Sequence, residues 1–256
     1  MNSNKQYKFQ SICERGAVRP NNEDAIKYGL SNDGNVAWMV IADGMGGHQA
    51  GEVASNLLVD EIEKAIVQAS ASADVDWTCW LEIEINRANN KIFNQAKNNS
   101  EQSGMGTTGV VTIIAQNTCY IAWVGDSRAY LYRSGEINSL SQITQDHTMI
   151  QALLDKGAIT KKEALESNNK NMLSKAVGIK KGVDVDVLSF PVHNQDIILL
   201  STDGLHDSLE HLKFEQLVVK IQTGLDVTAQ LVAQAIDNGS KDNITFGSIL
   251  VIENGE

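Results

Sequence analysis

Four apolar runs end or begin beside an aspartate next to a small or polar residue. These are "VIADG" at Asp43, "WVGDS" at Asp126, "LLSTDG" at Asp203 and "SKDNIT" at Asp242. "RPNNEDA" adds Glu23 and Asp24 near the start of the chain. Any one of them reads as a tight turn, because Asp and Gly suit such corners. Several carboxylates converging from separate strand tips are a different matter, since they repel unless a positive charge sits among them. Mg2+ or Mn2+ is the natural filler, as hard cations take oxygen ligands and keep waters. Zinc fits poorly: His48, His147, His193, His206 and His211 show no H-x-H or H-E-x-x-H spacing. No G-x-x-x-x-G-K-[ST] loop occurs, so "DGMGG" is not a nucleotide-phosphate cradle. Residue types and spacing alone reach an Asp-rich dinuclear metal site and hydrolysis at a phosphorus centre, and stop there.

The elements that must carry these residues are short strands and paired helices. Strand-like runs rich in Val, Ile, Thr, Tyr and Trp fall at 36–43, 108–115, 119–126, 129–133, 185–190, 196–203 and 244–252. "YRSGEI" reads as a hairpin connection between Tyr132 and Ile137. Helical spacing puts Val53, Leu57, Leu58, Ile62, Ala65 and Ile66 on one face of 50–70. Leu81, Ile85, Ala88, Ile92 and Ala96 do the same for 77–98. Two further helices are expected over 213–224 and 227–239, the second stopped by Asn238-Gly239. Hairpin-like strands with paired helices do not alternate as βαβ units, so the expectation is α+β, with helices covering a mostly antiparallel sheet system. The polar stretch 146–175 reads as a surface excursion and a mobile flap.

Bulk properties set limits. The 256 residues are 42% apolar and 21% charged, as expected of a globular chain with a substantial core, and only two prolines and no low-complexity linker divide them. One domain is the simpler reading. A net charge of −11 argues against non-specific nucleic-acid binding, which needs Lys and Arg to neutralise phosphates. Cys13, Cys79 and Cys119 are odd in number and form no C-x-x-C pair, which suits reduced thiols in the cytoplasm. "MNSNKQYKFQ" has no signal-peptide core, and no apolar run is long enough to span a bilayer.

Taken in order, "RPNNEDA", "IADGMGGHQAGEVAS", "GMGTTGVV", "AWVGDSRAYLYR", "QDHT", "LSKAVG", "ILLSTDGLHD" and "KDNIT" resemble the metal-dependent protein phosphatases, the type 2C serine/threonine family, in its compact bacterial form. The likeness runs from Arg19 to Asn243. It implies a central sandwich of two antiparallel sheets flanked by helices on both faces, an α-β-β-α four-layer arrangement. Residues 1–256 would then be one catalytic domain with a flap at about 147–170. The implied activity is hydrolysis of phosphoserine and phosphothreonine in proteins by a water or hydroxide bridging two metal ions. By the same resemblance Asp43 bridges the two ions and the Gly44 carbonyl joins one. Asp203 and Asp242 hold the other, while Glu23 and Asp24 bind directly or through water. Asp126 would pair with Asp203 at a third, weaker position. Arg19 matches the family's phosphate-binding arginine, whose planar fork can hold two phosphoryl oxygens. The implied partners are phosphorylated proteins, substrates of a serine/threonine kinase in the same cell. A monomer is the default expectation.

One departure stands out. Where many animal members carry a His after the Asp-Gly pair, this chain has Met45. His48 is a candidate to act near the substrate, although a helix-start or surface role suits it as well. On the resemblance the glycines after Asp43 clear space beside an anion-binding cleft. Thr107 and Thr108 read as structural, Arg128 as paired with a carboxylate, His147 as an anchor for the flap, and Trp38 and Trp123 as core. Two rivals remain. Cys13 and Arg19 have the C-x-x-x-x-x-R spacing of thiol phosphatases, but Pro20 removes a backbone donor such a loop needs. A catalytically inactive phosphoprotein-binding module is the other, although the expected metal aspartates are all present.

Overall fold

The structure, a computed structural model, describes residues 5–32, 34–46, 50–69, 75–136, 139–167 and 172–253. Strands β1 (Lys5–Glu14), β2 (Asp24–Leu30) and β3 (Val36–Met45) come first, followed by helices α1 (Ala50–Ala69) and α2 (Trp77–Asn98). Strands β4 (Gly106–Thr107), β5 (Gly109–Ala115), β6 (Thr118–Val124), β7 (Arg128–Tyr132) and β8 (Leu140–Gln142) follow. Short helices α3 (Met149–Asp155) and α4 (Lys161–Glu166) lead to β9 (Asp186–Pro191) and β10 (Ile197–Ser201). Helices α5 (Asp203–His206), α6 (His211–Gln222) and α7 (Thr228–Asp237) precede β11 (Ile244–Glu253).

The strands form two antiparallel sheets, ordered β1-β11-β10-β7-β8 and β2-β3-β5-β6-β9, with β4 paired to the end of β3. Three apolar layers hold them. Met39, Ile41, Val110, Ile114, Ile198 and Ile249 pack between the sheets. Trp38, Val40 and Ala42 pack with Leu58, Ile62, Leu81 and Ile85 of α1 and α2. Leu199 and Phe246 pack with Phe214, Leu217 and Leu231 of α6 and α7 on the other outer face. The four-layer expectation therefore holds. It also explains why β3 reads as an unbroken apolar run: its alternate residues face two different cores, so neither face can be polar.

Helix α2 shows how the sequence encodes its place. Asp76 caps it, its carboxylate accepting from the Thr78 and Cys79 amides at 3.1 and 3.2 Å. Leu81, Ile85, Ala88 and Ile92 are then buried on one face, the large aliphatics contributing about 1.5–3 kcal/mol each. The expected hairpin is wider than predicted: Tyr132 pairs with Leu140, not Ile137, which lies outside the described residues. Strands β1, β2 and β8 and the four-residue helix α5 were not predicted. The flap closes on itself at its base, where the Met149 amide donates to the Met172 carbonyl at 2.8 Å.

Candidate active site

The Asp residues that end apolar runs arrive at one end of the sandwich from both sheets. Asp43 lies near the end of β3, directly across from Asp24 at the start of β2. Asp126 follows β6, Asp203 follows β10, and Asp242 immediately precedes the Asn243-β11 junction. A cleft of about 790 Å3 opens there, lined on its acidic side by Arg19, Glu23, Asp43, Asp126, Asp203 and Asp242, with Gly44 beside them. Asp24 stands behind this lining, 5% exposed.

Asp43, Asp24 and Glu23 are held from behind. The Asp43 carbonyl accepts from the Thr107 hydroxyl at 2.9 Å and the Thr108 amide at 2.8 Å, and the Asp43 amide donates to the Thr108 hydroxyl at 2.9 Å. The two threonines are thus structural, as their sequence position suggested, and their task is to clamp this aspartate. The Thr202 and Thr245 hydroxyls, both fully buried, donate to Asp24 Oδ2 at 2.9 and 2.6 Å. Asn243 ties the Arg15–Glu23 segment in place. Its amide nitrogen donates to the Arg15 and Asn21 carbonyls at 2.8 and 2.9 Å, while its oxygen accepts from the Glu23 amide at 2.9 Å. Neither Thr202, Thr245 nor Asn243 was singled out from sequence. The only signal was a polar residue beside an Asp at a strand end, and their partners lie far away along the chain.

The glycines have a more specific reason than clearing space. A Cβ on Gly44 would lie 2.1 Å from the Gly51 carbonyl oxygen of α1, so the backbones of β3 and α1 touch directly. Gly204 has the same constraint, since a Cβ there would lie 1.9 Å from the Asn243 carbonyl oxygen. Each Asp-Gly pair thereby joins its aspartate to a close backbone contact.

Electrostatically the cluster lacks positive charge. Burial, then the neighbouring carboxylates, hold the Asp43 carboxyl well above the usual range. Burial and the other acids push Asp24 and Asp126 up to about 7 and Asp203 to about 6. Burial raises Glu23 as well. Asp203 Oδ1 is buried without a hydrogen-bond partner among the described residues. Arg19 supplies positive charge at the rim, donating to Asp242 Oδ2 at 2.7 Å.

These donors fit hard divalent cations. They are all oxygens, their charges repel, and one buried carboxylate oxygen has no partner among the described residues. Among the described residues, however, no three His, Cys, Asp or Glu side chains already form a closed cation site. The contacts give the reason. Asp242 is engaged by Arg19 and by the Asn243 amide, and Asp24 by two hydroxyls.

The remaining candidates fall as follows. His48 lies outside the described residues. Arg128 makes a forked pair with Asp146, at 2.9 and 2.7 Å. His147 anchors the flap base: its Nδ1 accepts from the Gly125 amide at 3.1 Å and its own amide donates back to the Gly125 carbonyl at 2.9 Å. Trp38 and Trp123 are core. The thiol rival fails, because Cys13 lies in β1 rather than at a helix start, and burial raises its pKa and so disfavours the thiolate.

Known proteins resemble the chain in sequence and fold. Residues 17–236 match the family described as protein phosphatase 2C. The chain is 36% identical over 242 residues to the serine/threonine phosphatase stp of Listeria welshimeri, covering 94% of this chain and 93% of that one. It is 31% identical over 242 residues to protein phosphatase PhpP of Streptococcus pneumoniae, covering 94% and 96%. The solved structure of Stp1 from Staphylococcus aureus matches with a TM-score of 0.83 at 33% identity, over 98% of this chain and 96% of that one. The catalytic domain of PstP in complex with two manganese ions matches at 0.82 and 30%, over 97% and 99%. With its two-sheet sandwich and motif order, the chain belongs to the protein phosphatase 2C family of serine/threonine phosphatases.

Proposed function

We propose that the cleft hydrolyses phosphoserine and phosphothreonine in proteins, with Arg19 holding the phosphoryl group beside two divalent cations carried by the acidic cluster. The observation that supports this is convergence: Asp43 and Asp126 from one sheet meet Asp203 and Asp242 from the other in one open cleft with an arginine at its rim.

When bound, Mg2+ or Mn2+ supplies Lewis acidity and an activated water at neutral pH. The chain does the rest. Asp43, fixed by Thr107 and Thr108, would help hold both cations, with the Gly44 carbonyl beside it. Asp203 and Asp242 would supply further oxygen ligands, with Glu23 and Asp24 supporting from the edge and from behind. Asp126 with Asp203 would offer a third, weaker position. Arg19 exchanges its contact with Asp242 for two phosphoryl oxygens, and its charge meets the negative charge that grows there in the transition state. Met45 has no proton to give, so the proton for the leaving alcohol falls to a water in the cleft or to His48.

On this reading residues 1–256 act as one catalytic unit, a monomer working in the cytoplasm on the products of a serine/threonine kinase. Among the described residues no helix is long and apolar enough to cross a membrane. The test is phosphate release from a phosphothreonine peptide with Mn2+, then with EDTA. Release that survives EDTA removes the cation roles, and no release under any condition removes the function.

A further inference from the structure

The acidic side is only part of the cleft. Another wall is formed by the segment 173–184, which follows the flap and contributes Leu173, Ile179, Lys180 and Val183. This wall is fixed in place. Val177 exchanges backbone hydrogen bonds with Thr107 at 3.0 and 2.9 Å, the same threonine that clamps Asp43. Helix α2 holds the rest with three asparagines. Asn89, fully buried, accepts from the Gly178 amide at 2.6 Å and donates to the Lys180 carbonyl at 2.9 Å. Asn86 accepts from the Val183 amide at 2.9 Å and Asn90 from the Gly182 amide at 3.2 Å.

Charges on the wall are unequal. Lys175 is neutralised by Asp184 and Asp186, at 2.7 and 3.0 Å. Lys180 is exposed and forms no ion pair among the described residues. Beside it Ile179 keeps 40% of its surface exposed, so the wall offers apolar surface next to a cation. A phosphoserine side chain alone would use neither.

We propose that the 173–184 wall reads the residues flanking the phosphorylated one, with Lys180 selecting an acidic side chain and Ile179 and Val183 an apolar neighbour. The inference rests on the phosphatase reading of the same cleft and adds a substrate class: acidic phosphopeptides over basic ones. The chain as a whole carries a charge of −11 and would otherwise favour basic peptides, so the preference for acid is opposite to what net charge alone dictates.

The test compares kcat/KM for phosphothreonine peptides that differ only by Glu or Lys at successive flanking positions. Each value is normalised to the same enzyme's turnover of a small aryl phosphate. At one or more positions the wild type should favour Glu by about threefold to fivefold, the scale of a partly exposed ion pair. Lys180→Glu should reverse that preference. Equal rates for Glu and Lys peptides at every position, a preference for Lys, or a Glu preference that Lys180→Glu leaves intact would each overturn the inference. Aryl phosphate turnover that persists in those cases leaves the phosphatase reading standing. Absence of turnover on every substrate with Mn2+ removes both.

Discussion

Arg19 and Asp242 meet at 2.7 Å across the mouth of the cleft, with side chains 48% and 35% exposed. The sequence reading gave them separate jobs, phosphate binding and cation binding, yet here they engage each other. A pair this exposed is worth about 1 kcal/mol or less, so it yields readily to a phosphoryl group on one side and a cation on the other. Arg19→Ala should raise KM for a phosphothreonine peptide by about tenfold to a hundredfold, the scale of lost charge-assisted hydrogen bonds. Mn2+ affinity by calorimetry should be equal or tighter, since Asp242 is released. Unchanged KM would remove Arg19 from the site.

Asp43→Asn should abolish phosphate release even at saturating Mn2+. The same substitution removes a carboxyl that burial and four other acids disfavour. The metal-free variant should therefore melt at a higher temperature than the metal-free wild type near neutral pH, a gain in stability that costs function. Residual turnover above a few per cent would exclude the bridging role.

The acid cluster predicts how stability depends on pH. Asp24 and Asp126 are pushed up to about 7 and Asp203 to about 6, chiefly by burial. In the unfolded chain they titrate near 4, so between about pH 4 and 7 the folded state binds more protons. The cluster's contribution to metal-free stability must then fall as pH rises through that window, by on the order of a few kcal/mol. Mn2+ favours the ionised form and should give its largest increase in melting temperature at the upper end. Melts at about pH 5 and about pH 8, with and without Mn2+, check both signs.

His206 has the opposite slope. It is buried against Ser201, Nδ1 to hydroxyl at 2.9 Å, and burial holds its pKa well below the usual value. Below about pH 6.5 the unfolded chain takes up a proton that the folded one refuses, so this residue withdraws stability as pH falls. His206→Gln should flatten the acid side of the stability curve by up to about 1.4 kcal/mol per pH unit relative to wild type. An unchanged acid limb would show that His206 does not set it.

Asn243→Ala tests positioning without altering the side chain of a proposed ligand. It leaves the Glu23 amide and the Arg15 and Asn21 carbonyls without their partner, a cost of about 2–4 kcal/mol in stability. KM should rise and kcat fall together, because the displaced segment carries both Arg19 and Glu23. Thermal melts and steady-state kinetics read the two effects separately.

What could be read from sequence was what repeats locally. Helix α2 was expected over 77–98 and occupies that span, since its apolar face lies within it and its cap, Asp76, immediately precedes it. Strand β1 was missed because it is an edge strand whose Lys, Gln and Ser residues break the apolar run. The acids were visible as residues at the ends of apolar runs, but their supports were not. Thr202, Thr245 and Asn243 look like ordinary polar residues until chain closure brings their partners to them. Asn86, Asn89 and Asn90 carry no signal in the apolar spacing of α2, yet they hold the 178–183 loop. Helix α5 was hidden because "STDG" reads as a turn, and the helix is only four residues long.

Because the acids come from opposite sheets, a cation seated between Asp43 and Asp203 would rivet the two halves of the sandwich. Sliding of one sheet over the other by even part of a residue would pull its ligands apart. The loaded protein should consequently resist shear between the layers far better than a protein held there by greasy contacts alone.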